Sequence, residues 1–235
     1  MASATYPIAD QSSSIVRKNM ARIKLFTVAG PLLCHAVQAN RVVQILENRR
    51  SWGLERPLVM LAVHSDDERI AAERLQSGSA RDLAQYIIVR QKGHNETVGH
   101  AISVFRQQFD PAADPFTAKR QSLYLTRRGG KGKANFVSPF LGGAGTTCGD
   151  WTRPMVRNPD GTVIKGFMKA SVAVGFCPVE CPYCYLNMPY TDGMDVALNW
   201  EDLADELQQK WRRYQYPINF GETSGLVEYD DEALR

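Results

Sequence analysis

No apolar run in this 235-residue sequence approaches the roughly 18 residues needed to cross a bilayer. The first residues, Met1-Ala-Ser-Ala-Thr-Tyr-Pro-Ile-Ala-Asp10, lack the basic start and apolar core of a secretory signal. Cysteine is scarce: there are five, and three of them crowd between Cys177 and Cys184. So few thiols, so unevenly spread, argue against a disulfide framework and suit a metal site in a reducing compartment. A cytoplasmic chain with no membrane partner is therefore expected. The hydrophobic fraction of 44% and charged fraction of 23% are those of an ordinary globular protein, long enough for one large domain or two small ones.

Acid is missing from the middle of the chain. Between Asp114 and Asp150 there is no Asp or Glu, while Lys119, Arg120, Arg127, Arg128, Lys131 and Lys133 all fall there. Such a segment could contact the phosphates of DNA or a nucleotide, or could simply be a solvated surface. After Tyr190 the balance reverses and acids dominate.

Residues 1–16 are polar and Ser-rich and read as a flexible arm. Residues 17–115 read as a mostly helical N-terminal domain. Leu33, Val37, Val42, Val43 and Leu46 recur at helical spacing, with Cys34 on the same apolar stripe. Ser65-Asp-Asp-Glu68 resembles a capping box, and further helices are expected over 80–91 and from Asn95 to Phe109. Pro57–Val63 fits a buried strand or a helical turn equally well. Residues 116–166 form a basic, Gly-rich β linker region: Ser122–Thr126 alternates like a strand, and Asn135–Val137 could be another. Met155–Arg157 and Thr162–Ile164 flank the turn sequence Asn158-Pro-Asp-Gly161. Lys169–Val174 reads as a buried strand, Asn199–Tyr214 as a helix with Leu203, Leu207 and Trp211 on one face, and Tyr216–Gly221 as a second strand. That order, strand–helix–strand, is the βαβ unit of a parallel sheet or barrel, in which ligands gather at the carboxyl ends of strands.

Cysteine 177 opens the run Cys177-x3-Cys181-x2-Cys184, with Tyr183 directly before the last thiol. Three thiolates so close in sequence can hold three irons of a cubic cluster and leave the fourth open to bind and reduce a small molecule. A zinc site with Cys148 as fourth thiolate is the alternative, although zinc sites more often pair two Cys-x2-Cys arms and only one occurs here.

The cysteine run after a strand resembles the radical S-adenosylmethionine superfamily. Within it, Cys181-Pro-Tyr-Cys-Tyr-Leu186 and Phe220-Gly-Glu-Thr-Ser224 resemble the spore photoproduct lyase branch. The resemblance implies a partial parallel (β/α) barrel of radical-SAM type from residue 167, preceded by the helical domain. It implies Cys177, Cys181 and Cys184 as ligands of a [4Fe-4S] cluster. Tyr183 would lie along the adenine of S-adenosylmethionine, with Glu222 on its methionine ammonium. The implied activity is cleavage of that cofactor to a 5′-deoxyadenosyl radical, with an external electron donor, in a lyase- or modification-type reaction on a nucleobase or DNA. Two departures stand out. Glu222-Thr-Ser-Gly-Leu-Val227 lacks the hydrogen-donating cysteine that the lyases carry beyond the second strand. Residues 167–235 also have room for about two βα units, where the barrel needs about six. A partner chain or further sequence is then expected to complete it. The competing expectations are a non-catalytic or split-subunit binding module, and radical chemistry on a peptide or small metabolite.

Overall fold

The computed structural model describes residues 17–18, 20–92, 94–128, 137–141, 155–157, 163–170, 173–174, 194–214 and 218–220. Its larger sheet belongs to an α/β unit and is mostly parallel. Strands β1 (Leu25–Ala29), β2 (Leu58–Val63), β3 (Gln85–Arg90), β4 (Ser122–Thr126) and β9 (Met194–Ala197) lie in the order β3-β2-β1-β4-β9, all parallel. A two-residue strand, β8 (Ala173–Val174), closes one edge antiparallel to β9. A second sheet joins β5 (Val137–Leu141), β6 (Met155–Arg157), β7 (Val163–Ala170) and β10 (Ile218–Phe220).

Both faces of the first sheet are covered, because strand side chains alternate and both sets are apolar. Phe26, Val28, Val59, Leu61, Leu123, Leu125 and Val196 face one cluster. Leu32 and Leu33 of α1 (Gly30–Leu33), Val42 and Leu46 of α2 (Ala36–Ser51) and Ala72 of α3 (Asp66–Ser77) join it there. Leu25, Met60 and Tyr124 face the other, with Ala101 and Phe105 of α4 (His94–Gln108) and Ala118 of α5 (Pro115–Arg120). Helices on both faces and a strand order that reverses between β1 and β4 make this a doubly wound sheet.

Local signals set several elements as expected. Ser65 caps α3, its hydroxyl accepting from the Glu68 N–H at 3.2 Å, with Asp66, Asp67 and Glu68 in the first turn. The α4 helix starts at His94 and ends at Gln108, close to the Asn95–Phe109 expectation. Met155–Arg157 pairs antiparallel with Val163–Lys165, the expected hairpin. The α2 helix ends in a Schellman arrangement: Gly53 sits at φ 70°, its N–H donates to Arg50 O (2.9 Å), and the Leu54 N–H donates to Arg49 O (3.3 Å).

The helix expected over 80–91 is corrected. Residues 85–90 are a strand paired parallel with β2. Leu83, Ala84, Ile87 and Ile88 mimic helical spacing because Tyr86 and Ile88 pack toward one cluster and Ile87 and Val89 toward the other. An aromatic and β-branched run that packs on both faces shows no alternation in sequence. Residues 17–115 are thus an interleaved α/β segment with three parallel strands, and the sheet continues past residue 115 into β4.

The 31–50 helix is also broken. The α1 helix stops at Leu33, and α2 begins at Ala36. Cys34, expected in the core, falls at the break and is exposed. Val37, on the expected apolar stripe, is 59% exposed, whereas Val42 and Leu46 are buried.

Candidate functional site at the carboxyl ends of the strands

The uninterrupted strand–helix–strand order expected near the cysteines is corrected: after β7 the chain passes through β8 and β9 of the first sheet before helix α6 (Glu201–Tyr214) and β10, and the expected strand Lys169–Val174 is divided between β7 and β8. Strand β10 nonetheless lies directly beside β7 and parallel to it. Ile218 pairs with Met168, Asn219 with Lys169 and Phe220 with Ala170. The carboxyl ends of both strands therefore stand level at one edge of the second sheet. In sequence, Cys177 follows Ala170 by seven residues and Glu222 follows Phe220 by two. Cys177, Cys181, Cys184, Tyr183 and Glu222 themselves lie outside the described residues, as do Cys148, Lys131 and Lys133. Among the described residues, no group of three His, Cys, Asp or Glu side chains could hold a metal ion.

The stretch that carries the cysteines is bounded by β8 before it and β9 after it, and these two strands pair with each other. Ala173 faces Val196, and Val174 faces Asp195. Strand β9 is in turn the parallel neighbour of β4, with Tyr124 beside Asp195 and Thr126 beside Ala197. Polar side chains reinforce this junction. The Thr126 hydroxyl donates to Asp195 Oδ1 at 2.6 Å, and Arg128 Nη2 lies 3.7 Å from the same oxygen. Fully buried Asn199 accepts from the Arg128 N–H at 2.9 Å. Its amide nitrogen donates to Arg128 O at 2.8 Å and to Asp202 Oδ2 at 2.6 Å. Asn199 was expected only to open the helix; it also bridges the ends of β4 and β9.

The start of α6 is anchored to α2. Arg41 Nη1 lies 2.5 Å from both Leu198 O and Glu201 Oε2, its guanidinium stacks 4.7 Å from the centre of the Trp200 ring, and Gln38 donates to Glu201 Oε1 at 2.8 Å. Partial burial alone would raise the Glu201 carboxyl. The hydrogen bonds from Arg41 and Gln38, its own backbone N–H and the Arg41 charge outweigh that and hold it below the ordinary carboxylate range. Because the folded value is depressed, this contribution is present above the unfolded carboxylate pKa and fades as pH falls through the folded one. Replacing Arg41 with Met removes the main partner, so acid unfolding is expected to begin at higher pH than in the parent. An unchanged acid midpoint by circular dichroism would count against the anchor. Further along α6 the expected apolar face is only half covered: Leu203 and Leu207 are half-buried and Trp211 is exposed.

Among the described residues of the basic segment, the four cations are not gathered into one patch. Lys119 and Arg120 close α5 at the amino end of β4, whereas Arg127 and Arg128 follow its carboxyl end. A five-residue strand separates the pairs by about 17 Å. Arg128 is buried and committed to Asn199 and Asp195. Arg127 contacts the His35 ring and lies 3.5 Å from Asp202. Charge counting along the sequence could not show this, since the strand that separates the arginines is part of the same run.

Remaining candidates resolve into packing. Cys34 Sγ sits 3.9 Å from Gly30 O, and local desolvation, then the Glu68 and Asp67 charges, raise its thiol pKa. A thiol held protonated in this way is a poor nucleophile. Gly30 is required by close approach, since a Cβ there would lie 2.9 Å from Ala62 O and collide with the Glu68 carboxylate. That carboxylate lies beside the turn after β1 and accepts from the His64 N–H at 2.7 Å. His100 pairs with Gln91 through Nδ1 at 3.1 Å.

No protein-family model matches the chain, no curated protein matches it in sequence, and no solved structure matches it in fold.

Proposed function

We propose that this chain is a radical S-adenosylmethionine enzyme, or the N-terminal part of one. The observation that carries the reading is the Cys177-x3-Cys181-x2-Cys184 run with Tyr183 inside it. The parallel pairing of β10 beside β7 is the structural feature compatible with it, as parallel strands are what a partial β/α barrel of radical-SAM type is built from.

The donor set suits the group. Three thiolates satisfy three irons and leave one for a bidentate ligand, which Cys148 as a fourth thiolate would not. Cys177, Cys181 and Cys184 would hold the cluster, and the chemistry it would supply when bound is one-electron reductive cleavage of S-adenosylmethionine to methionine and a 5′-deoxyadenosyl radical, the electron coming from an external donor. The chain's own task is to hold and orient. Glu222 would pair its carboxylate with the methionine ammonium, a charge-assisted contact that strengthens as water is excluded. Tyr183 would lie against the adenine ring. A nucleobase in DNA is the proposed substrate in a lyase- or modification-type reaction, and completion of the barrel would fall to a partner chain or further sequence. With Arg128 buried and Arg127 beside Asp202, phosphate contacts would fall to the other basic residues of the segment.

Anaerobic reconstitution with iron and sulfide tests the proposal. Brown protein that converts S-adenosylmethionine to 5′-deoxyadenosine on reduction is the expected outcome. Colourless protein that retains zinc instead overturns it. For the substrate, replacing Lys131 and Lys133 with Gln is expected to lower the salt dependence of DNA binding by about one unit of slope per lost contact. DNA binding that is absent, or indifferent to salt, would shift the substrate to a peptide or small metabolite.

A further inference from the structure

We infer that the amino-terminal edge of the first sheet is a binding surface for an unpaired nucleic-acid strand. Phe109 is its stacking platform, and Arg22, Lys24, Lys119 and Arg120 surround it for the phosphates. This rests on no part of the cluster reading. Strands β1 and β4 are parallel neighbours with Leu25 beside Ser122, so their amino ends stand level. The Lys24 N–H donates to Gln121 O at 2.9 Å, which sets Lys24 beside the chain just after Lys119 and Arg120. Helix α4 returns to the same end. Phe105 packs with Leu25 in the core, and one turn later the Phe109 ring centre lies 5.9 Å from Lys24 Nζ. The fold that parts Lys119 and Arg120 from Arg127 thus joins them to two cations at the start of β1.

Positive charge prevails at this edge. No acid occurs between Asp10 and Glu47, so Arg22 and Lys24 have no acidic neighbour in sequence. The acids nearest Phe109 and Lys119 in the chain are Asp110 and Asp114, whose carboxylates turn to local N–H groups. Asp110 accepts from Ala112 at 3.0 Å and Asp114 from Thr117 at 2.8 Å. Arg22 and Lys24 are exposed, and Lys119 and Arg120 are half-buried. Such a cluster attracts a polyanion. Phe109 decides which kind. It is 37% exposed although Phe105, 5.2 Å away centre to centre, is fully buried. A lone exposed ring is ordinary, but a ring among cations offers a base a face and its phosphates their partners. A duplex keeps its bases stacked on one another and cannot use the ring. Lys24 sits at the outer limit of cation–π contact, so its flexible chain can leave the ring for a phosphate when a base arrives.

Fluorescence anisotropy of a labelled single-stranded DNA of about 15 nucleotides, titrated with the full chain over a range of salt, tests this. Lys24→Gln and the double variant Lys119→Gln/Arg120→Gln are expected to bind more weakly. Each should lower the slope of log K against log salt by about 0.7 per lost phosphate contact. Phe109→Ala should weaken binding about 5- to 100-fold with the slope unchanged. Phe109→Leu keeps the apolar bulk without the π-face and should recover little of that loss. Arg69→Gln removes the same charge from the first turn of α3, at the other end of the sheet, and should bind as the parent does. Thermal melting confirms that each variant is folded. Equal affinity and slope in the parent, Lys24→Gln and Phe109→Ala would overturn the inference. So would an equal loss in Arg69→Gln, tighter binding to duplex than to single strand, or binding to phosphatidylserine vesicles alone. Strand binding that depends on Lys131 and Lys133 but not on these residues would keep a nucleic-acid substrate and sink this surface. Colour and cofactor cleavage decide the cluster reading separately, whichever result is found.

Discussion

Cys181→Ala protein, reconstituted anaerobically, is expected to emerge colourless and to form no 5′-deoxyadenosine above background. Cys181 is the middle thiolate of Cys177-x3-Cys181-x2-Cys184, and Cys34, exposed at the α1–α2 break, has its thiol pKa raised. Two thiolates cannot hold three irons of a cubic cluster, so the loss should be complete. Cys34→Ala should keep its full iron content. Cys148→Ala separates the metals: a zinc site would lose its fourth ligand, whereas the cluster reading expects iron and colour to remain. Glu222→Gln should keep the cluster but weaken S-adenosylmethionine binding by about 10- to 100-fold, the usual worth of a hydrogen bond to a charged group. Full colour and activity in Cys181→Ala would end the cluster reading.

Phe26→Ala should cause the largest loss of stability of any single truncation in the first sheet, about 3–5 kcal/mol by chemical denaturation. Phe26 is fully buried on the central strand, with Val59 and Leu123 as register partners on its two sides. The Arg49 guanidinium lies 5.7 Å from its ring centre, held in turn by the Met20 and Glu55 carbonyls. The cavity would open between both neighbouring strands and the helices above them, where close packing leaves little room to collapse. Domains carry only about 5–15 kcal/mol in total, so the midpoint should fall far. A loss below about 1 kcal/mol would place Phe26 outside the core, contrary to a buried Phe.

The chain shows which elements can be read without a structure. Ser65 with Glu68, the α4 helix, the Met155–Lys165 hairpin and α6 follow from contacts between residues close in sequence, and each was legible. Around the cysteines the expected order of strand, helix and strand was incomplete, since β8 and β9 of the first sheet intervene, although β7 and β10 do pair in parallel. Strands β1, β3 and β9 were not legible, and the reason is common to them. A parallel strand packed on both faces carries no alternation, and its partners lie far away in the chain: Leu125 pairs with Val196, Leu61 with Ile88.

The sequence by itself determined that three thiols fall within eight residues, which covalent spacing alone sets. It also determined the absence of a bilayer-length apolar run, and no helix among the described residues is long and apolar enough to cross a membrane. Tertiary structure decided what the charges do. It placed Lys119 and Arg120 at one end of β4 and Arg127 and Arg128 at the other, and it buried Arg128 against Asn199 and Asp195. It also decided that the cysteine-bearing stretch begins and ends on paired strands of a doubly wound sheet. Desolvation and long-range pairing depend on which distant residues meet, and only the folded chain brings Thr126 to Asp195.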